Sequence, residues 1–151
     1  MRSADVKDYE PAVTALAPLL HNLPGKLIAI DGLPGVGKTT LGRFLAWTFN
    51  VSLIETDLFL VEGPGRLVYR KDEIDQLIEK RLKKPRPVIV EGASVLRLLA
   101  DLNRNADFLI YLTNQNAPEI GGSLALDLAN YHASFTPDAK ADLVLPLNHT
   151  G

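Results

Sequence analysis

The chain has 151 residues, of which 46% are hydrophobic, and its formal net charge is −2 at neutral pH. This length suffices for one domain with a substantial core, and the near-neutral charge without a basic tail argues against a nucleic-acid partner. The absence of cysteine excludes disulfide bonds and thiolate metal sites. No run is long and apolar enough to span a membrane, and the acidic residues near the amino terminus do not resemble a signal peptide. We therefore expect a cytoplasmic protein without membrane partners, and a homodimer stays open.

Residues 1–25 are predicted to form a leading segment ahead of the main domain at 26–151. Within residues 8–23, apolar side chains recur at helical spacing and the pattern is interrupted by Pro18. We expect an amphipathic helix that is kinked or broken at Pro18 and packed on the core. A helix that binds a partner is the alternative.

The segment at residues 32–40 matches the pattern G-x-x-x-x-G-K-[ST] at every fixed position. It follows an apolar run at 27–30, typical of a buried strand, and precedes apolar residues at helical spacing. A glycine-rich turn between a strand and a helix directs backbone N–H groups and the positive helix end at one point, where a polyphosphate binds. The predicted nucleotide-binding residues are Gly32, Leu33, Pro34, Gly35, Val36, Gly37, Lys38, Thr39 and Thr40.

Three polar side chains of this loop have predicted roles. Lys38 brings a cation to the β- and γ-phosphates, and the Thr39 hydroxyl is a ligand for Mg²⁺. Thr40 offers a further hydroxyl donor. The loop therefore predicts binding of ATP together with Mg²⁺.

After the loop, short apolar runs alternate with helical patterns. Strands are predicted at 51–54, 88–90, 108–112 and 143–145, and helices at 71–83 (with Asp72 as N-cap), near 94–103 and at 123–132. Strands of this kind indicate a parallel sheet with helices on both faces, a three-layer α/β/α sandwich that binds ligands at the carboxyl ends of its strands. Trp47, on the helix after the loop, is expected to lie in the core.

Two acidic residues follow predicted strands. Asp57 comes just after the second strand and Glu91 ends the third, so both should lie at the same sheet edge as the phosphate loop. A carboxylate there can hold Mg²⁺ or accept a proton from an attacking hydroxyl. Alternatively, Asp57 is a loop or capping residue and Glu91 caps the following helix.

The sequence resembles the P-loop kinases of the uridine kinase and phosphoribulokinase group over residues 26–147. The resemblance rests on 32–40, 55–59 (ETDLF), 88–92 (VIVEG) and 141–145 (ADLVL). It implies a P-loop NTPase fold with strand order 2-3-1-4-5, which would place Glu91 beside Thr39 and the metal. It also implies that Lys38, Asp57 and Glu91 are catalytic, with Asp57 as the base.

The same resemblance places Tyr69 and Arg70 near the acceptor substrate. Kinases of this group carry arginines in a lid between the fourth and fifth strands, but here no arginine follows Arg104. Because such arginines typically contribute about 10³–10⁵ in rate, their absence matters. Arg66 and Arg70 are the candidate replacements.

Two functions are thus open. The favoured one is an ATP- and Mg²⁺-dependent kinase that phosphorylates a hydroxyl of a small, nucleoside- or sugar-like molecule. The alternative is a nucleotide-binding regulatory module of the same fold with little or no transfer activity.

Overall fold

The computed structural model describes residues 6–61 and 67–148. Five strands alternate with helices along the chain. The strands are β1 (Leu27–Gly32), β2 (Ser52–Glu55), β3 (Val88–Glu91), β4 (Phe108–Asn114) and β5 (Leu143–Leu147). The helices are α1 (Glu10–Leu19), α2 (Lys38–Phe49), α3 (Lys71–Lys83), α4 (Val95–Asp101), α5 (Gly122–Phe135) and α6 (Pro137–Lys140), with short 3₁₀ turns at Val6–Tyr9 and Thr56–Phe59.

All five strands are parallel, and their order is β2-β3-β1-β4-β5. The predicted strand order is therefore confirmed. β1 is the central strand and is buried at every position. Its register places Ile30 opposite Glu91 of β3, so the loop after β1 and the carboxyl end of β3 are neighbours.

Hydrophobic layers cover both faces of the sheet, which confirms the predicted α/β/α architecture. On one face, α1 and α2 contribute Leu16 and Leu41. On the other face, α3 and α4 contribute Ile78 and Leu98. Successive residues of β1 alternate between the two layers, as the two-residue period of a strand requires. The leading helix α1 packs on the core through Ala12 and Leu16. No helix within the described ranges has the length and apolar character needed to cross a bilayer.

The turn between β1 and α2 depends on glycine at two positions. Gly37 precedes the first residue of α2 with φ of 110°, and Gly35 has φ of 83°. A Cβ on Gly35 would lie 2.8 Å from Cδ of Pro118. Since L side chains rarely adopt such angles, these glycines allow the chain to curl around a concave point and enter α2.

The prediction that Trp47 lies in the core is wrong. Its side chain is 84% exposed. The buried side of α2 is formed by Leu41, Gly42 and Leu45. Because each residue turns the helix by about 100°, Trp47 follows Leu45 by two positions and falls on the opposite side.

Several predicted boundaries also differ from the structure. Asp72 is not the N-cap of α3, because this helix begins at Lys71 and Arg70 takes the cap position. Asp72 lies in the first turn, where a carboxylate still interacts favourably with the helix dipole. The helical pattern of residues 8–23 is interrupted at Pro18, and α1 ends one residue later, at Leu19.

Candidate functional site

Lys38 is the first residue of α2 and lies over the phosphate loop. Its side chain is buried, and Nζ donates a hydrogen bond of 2.9 Å to the carbonyl oxygen of Leu33. Burial lowers the pKa of the ammonium group, and three carboxylates oppose that shift. They belong to Glu91, Asp31 and Asp57. The cation is thus surrounded by the loop backbone and by acidic groups from three strand ends.

Thr39 and Glu91 are in direct contact across the site. The Thr39 hydroxyl donates to Oε1 of Glu91 over 3.0 Å, and Glu91 is only 1% exposed. Burial raises the pKa of the Glu91 carboxyl, while the Thr39 hydrogen bond and the charge of Lys38 oppose this. Glu91 does not cap the following helix, because α4 begins at Val95 with Ser94 as its N-cap.

Packing holds the backbone next to Glu91 in place. Thr56, in the 3₁₀ turn after β2, donates a 2.8 Å hydrogen bond to the carbonyl oxygen of Glu91. A Cβ on Gly92 would lie 2.2 Å from the hydroxyl oxygen of Thr56. The glycine therefore lets the ends of β2 and β3 approach each other. The hydrogen bond from Thr56 holds the backbone from which the Glu91 side chain extends.

The donor set suits Mg²⁺. The Thr39 hydroxyl oxygen and the Glu91 carboxylate oxygen lie 3.0 Å apart. Both are oxygen ligands of the hard kind that this ion prefers. Among the described residues there is no cluster of three or more His, Cys, Asp or Glu side chains suited to a metal. Protein sites that bind Mg²⁺ with a nucleotide supply one or two carboxylates, and the phosphates complete the shell.

A cleft of about 440 Å³ opens beside the phosphate loop. Lys38, Glu91 and Asp57 line it, together with the loop residues Pro34, Gly35, Gly37, Thr39 and Thr40. Asp57 is exposed and belongs to the 3₁₀ turn Thr56–Phe59 that follows β2. The remaining wall is apolar and consists of Leu60, Leu67, Ala93 and Leu124. The structure thus brings together the loop and both predicted acidic residues in one cleft.

Tyr69 and Arg70 do not line this cleft. Arg70 donates to the carbonyl oxygen of Leu58 over 2.9 Å, pairs with Glu73 at 3.0 Å and lies over the ring of Phe59. Tyr69 is buried beside a separate cavity of about 170 Å³, whose lining also includes Leu67. Arg66 lies outside the described residues. Of the residues that the structure describes, only Leu67 lines both cavities.

The sequence analysis missed a group of polar residues behind the phosphate loop. Asp31, next to the loop in β1, is 1% exposed and hydrogen bonded to Tyr131 of α5. Arg97 of α4 forms a two-point contact with Asp127 of α5 at 3.0 and 3.1 Å. An aspartate at the end of an otherwise apolar strand was a usable signal for Asp31. No local pattern signals its partner, which lies 100 residues further along the chain.

Comparison with solved structures identifies the fold. A possible uridine kinase from Bacillus stearothermophilus superimposes with a TM-score of 0.64 and 17% identity, over 91% of this chain and 99% of that one. Thymidylate kinase from Candida albicans gives a TM-score of 0.52 at 12% identity, over 83% and 84% of the two chains. At these identities the likeness concerns the fold alone: the chain has the P-loop kinase fold.

The relatives found by sequence match this chain over only part of their own length. A protein named "Putative adenylate kinase" from Pyrococcus abyssi is 40% identical over 72 residues, which are 44% of this chain and 39% of that protein. A mitochondrial Lon protease homolog from Schizosaccharomyces pombe is 28% identical over 127 residues, 71% of this chain and 12% of the relative. The chain therefore spans well under half of these curated relatives. No protein-family model matches it.

Proposed function

We propose that the protein is an ATP- and Mg²⁺-dependent phosphotransferase that acts on a hydroxyl group of a small molecule. One observation carries this proposal: Lys38, Thr39, Glu91 and Asp57 line a single cleft at the carboxyl end of the sheet. A binding module needs the first two of these groups for the nucleotide. Asp57 is a further carboxylate in the same cleft, exposed in the turn after β2, and it suits the activation of a second substrate.

In this mechanism the loop amides and Lys38 hold the β- and γ-phosphates. Thr39 and Glu91 would hold Mg²⁺, directly or through water, and the ion would offset negative charge on the phosphates. Asp57 accepts the proton of the acceptor hydroxyl as its oxygen forms a bond to the γ-phosphorus. The bond from that phosphorus to the bridging oxygen breaks, and ADP leaves with the electron pair. The products are a phosphate ester and ADP.

For the acceptor we propose a nucleoside- or sugar-like alcohol, a choice that rests on the sequence resemblance. Tyr69 is assigned to the acceptor side because its cavity adjoins the cleft at Leu67. Arg70 can reach the acceptor only after leaving Glu73 and the Leu58 carbonyl. A cytoplasmic location, the lack of nucleic-acid and membrane partners and a homodimer remain predictions of the sequence.

The second candidate function is a regulatory nucleotide-binding module. One observation favours it: the chain carries no arginine after Arg104, so α5 and the loop before it offer no guanidinium for the transferring phosphoryl group. A module of this kind would bind ATP in the same loop without efficient transfer.

The deciding experiment measures ADP release from Mg²⁺-ATP across a panel of nucleosides, sugars and related alcohols. The kinase predicts release that depends on one class of acceptor and is lost in Lys38→Ala. The regulatory module predicts tight ATP binding, measured by calorimetry, with no acceptor-dependent release. Failure to bind ATP at all would contradict both functions.

A further inference from the structure

Asp31 is a buried carboxylate placed directly before the phosphate loop. Its Oδ1 accepts a 2.7 Å hydrogen bond from the backbone N–H of Gly32, the first loop residue. Its Oδ2 accepts a hydrogen bond from the hydroxyl of Tyr131. Burial of a carboxylate is costly unless its oxygens are hydrogen bonded, and here both oxygens have partners. One oxygen contacts the loop and the other contacts α5.

Tyr131 joins three elements through one hydroxyl. It donates to Asp31 of β1 and accepts a 3.1 Å hydrogen bond from the backbone N–H of Leu96 in the first turn of α4. Its ring stacks on Phe135 within α5, with centroids 5.2 Å apart. The position of this helix is thus tied to the strand that leads into the phosphate loop.

A second contact runs parallel to the first, one helical turn away. Asp127 of α5 accepts two hydrogen bonds from Arg97, whose guanidinium carbon lies 5.6 Å from the centre of the Tyr131 ring. Asp127 also accepts a 3.1 Å hydrogen bond from the backbone N–H of Leu67. Leu67 and Leu124, near the start of α5, both line the phosphate cleft. The contact of Asp31 with Tyr131 and that of Arg97 with Asp127 therefore connect α5 to the strand before the loop and to residues that line the cleft.

We propose that Asp31 and Tyr131 are positioning residues for a polyphosphate bound in the loop. Asp31 holds the loop through the Gly32 amide and holds α5 through the Tyr131 hydroxyl. A shift of the loop or of α5 alone would therefore break one of these hydrogen bonds. The role of the pair in nucleotide binding rests on the proposed function, whereas its mechanical role does not.

Charged and titratable groups from three elements face Asp31. Lys38 of α2 and the Tyr131 hydroxyl favour its ionised form, while burial raises the pKa of Asp31 to about 7. Tyr111 of β4 is the register partner of Asp31, and burial together with the Asp31 charge raises the pKa of that tyrosine. A polyphosphate in the loop adds negative charge near Asp31 and favours its protonated form. Binding should therefore take up a proton near neutral pH.

The first test uses ligand-free protein and needs no nucleotide. Tyr131→Phe keeps the ring and its stacking on Phe135 but removes the hydroxyl. Amide hydrogen exchange of residues 32–37 and of α5 should then accelerate together, about tenfold, the scale of losing a hydrogen bond to a charged group. Tyr9→Phe is the matched control, since the buried Tyr9 hydroxyl has no hydrogen-bond partner among residues 6–61 and 67–148. Acceleration in α5 alone, or in neither segment, would overturn the proposal.

The second test measures the affinity for Mg²⁺-ATP between pH 6 and 8. In the parent, affinity should fall as the pH rises through the pKa of Asp31. The midpoint of this fall should move to higher pH in Tyr131→Phe, because the lost hydrogen bond had favoured the ionised form. In Asp31→Asn the fall should be absent. Ratios of variant to parent dissociation constants cancel the titration of ATP itself.

The outcomes distinguish a positioning role of Asp31 and Tyr131 from a purely structural one, and they separate this proposal from the proposed function. A purely structural role of the pair predicts lower melting temperatures with an unchanged pH profile, which would overturn positioning. If the parent binds no ATP, the proposed function fails, and hydrogen exchange alone still decides whether the pair couples the loop to α5.

Discussion

A substitution of Glu91 can show whether this residue is a metal ligand or a carboxylate that only stabilises the fold. Glu91→Gln keeps the shape of the side chain and its ability to accept from Thr39 but removes the charge. We expect the thermal midpoint to stay near that of the parent, because burial already disfavours the charged form. Tight ATP binding should require more Mg²⁺, as measured by titration of the metal at fixed ATP. A large loss of thermal stability with unchanged Mg²⁺ dependence would assign Glu91 to the fold instead.

Asp57 tests the transfer step. Asp57→Asn should leave ATP affinity nearly unchanged, since Asp57 belongs to the turn after β2 and is not part of the phosphate loop. Phosphoryl transfer to an accepted substrate should fall by roughly 10²-fold or more, the usual scale for losing a positioned base. Steady-state rates and binding calorimetry on the same variant check this. Transfer at the parental rate would show that Asp57 is not the base.

Asp31 makes folding stability depend on pH. Its folded-state pKa, about 7, lies above the ordinary value of 3.8. Below about pH 4 the group is protonated in both states, and its contribution to stability is fully present. As the pH rises towards 7 the unfolded chain releases the proton first, so this contribution is lost. Thermal unfolding between pH 4 and 8 should show this decline in the parent and a smaller one in Asp31→Asn. Equal declines would contradict the assigned pKa.

Between secondary-structure elements, the ion pairs differ in how far they are exposed to water. Arg97 of α4, which is partly buried, donates two hydrogen bonds to Asp127 of α5, whereas Arg43 of α2 makes an exposed pair with Glu55 of β2. After allowance for solvent screening, Arg97→Ala should lower the free energy of unfolding by about 1 kcal/mol. Arg43→Ala, the control, should leave it unchanged. Urea unfolding measures both, and equal effects would show that burial does not set the strength of these pairs.

Element positions were predicted well where the pattern is local. Residues 71–83 and 88–90 carry their periodicity in consecutive side chains, and the structure places α3 and β3 there. The strand order came from the resemblance, because periodicity does not say which strands are neighbours. The expectation for Trp47 is wrong because it depends on the apolar type of a single residue. The side of α2 that is buried is set by the helical phase of Leu41 and Leu45.

For the whole molecule, the sequence located the phosphate loop and its two acidic neighbours but not their support. The loop is a contiguous motif, so the sequence alone predicts a nucleotide as its ligand. The link between Asp31 and Tyr131 depends on how α5 docks on the sheet, which no local pattern encodes. The same holds for Arg70, whose charge suggested a phosphate contact but whose partners are Glu73 and the Leu58 carbonyl.

Ligand binding should stabilise the whole fold. At about 100 times its dissociation constant, Mg²⁺-ATP adds about 2.7 kcal/mol to the free energy of unfolding, which corresponds to about 5–10 °C in a domain of this size. Thermal scans of the parent should show this shift, and Lys38→Ala should abolish it. A variant that folds normally and still responds to ATP would place the nucleotide elsewhere.

The exposed position of Trp47 determines which spectroscopic probe can follow these experiments. The chain contains one tryptophan, and water surrounds most of its indole in the native state. Native emission should therefore already be red-shifted and readily quenched by acrylamide, much as in the denatured chain. Intrinsic fluorescence will barely register global unfolding, so circular dichroism or calorimetry is needed. Conversely, the indole is a sensitive reporter for any molecule that covers the outer side of α2.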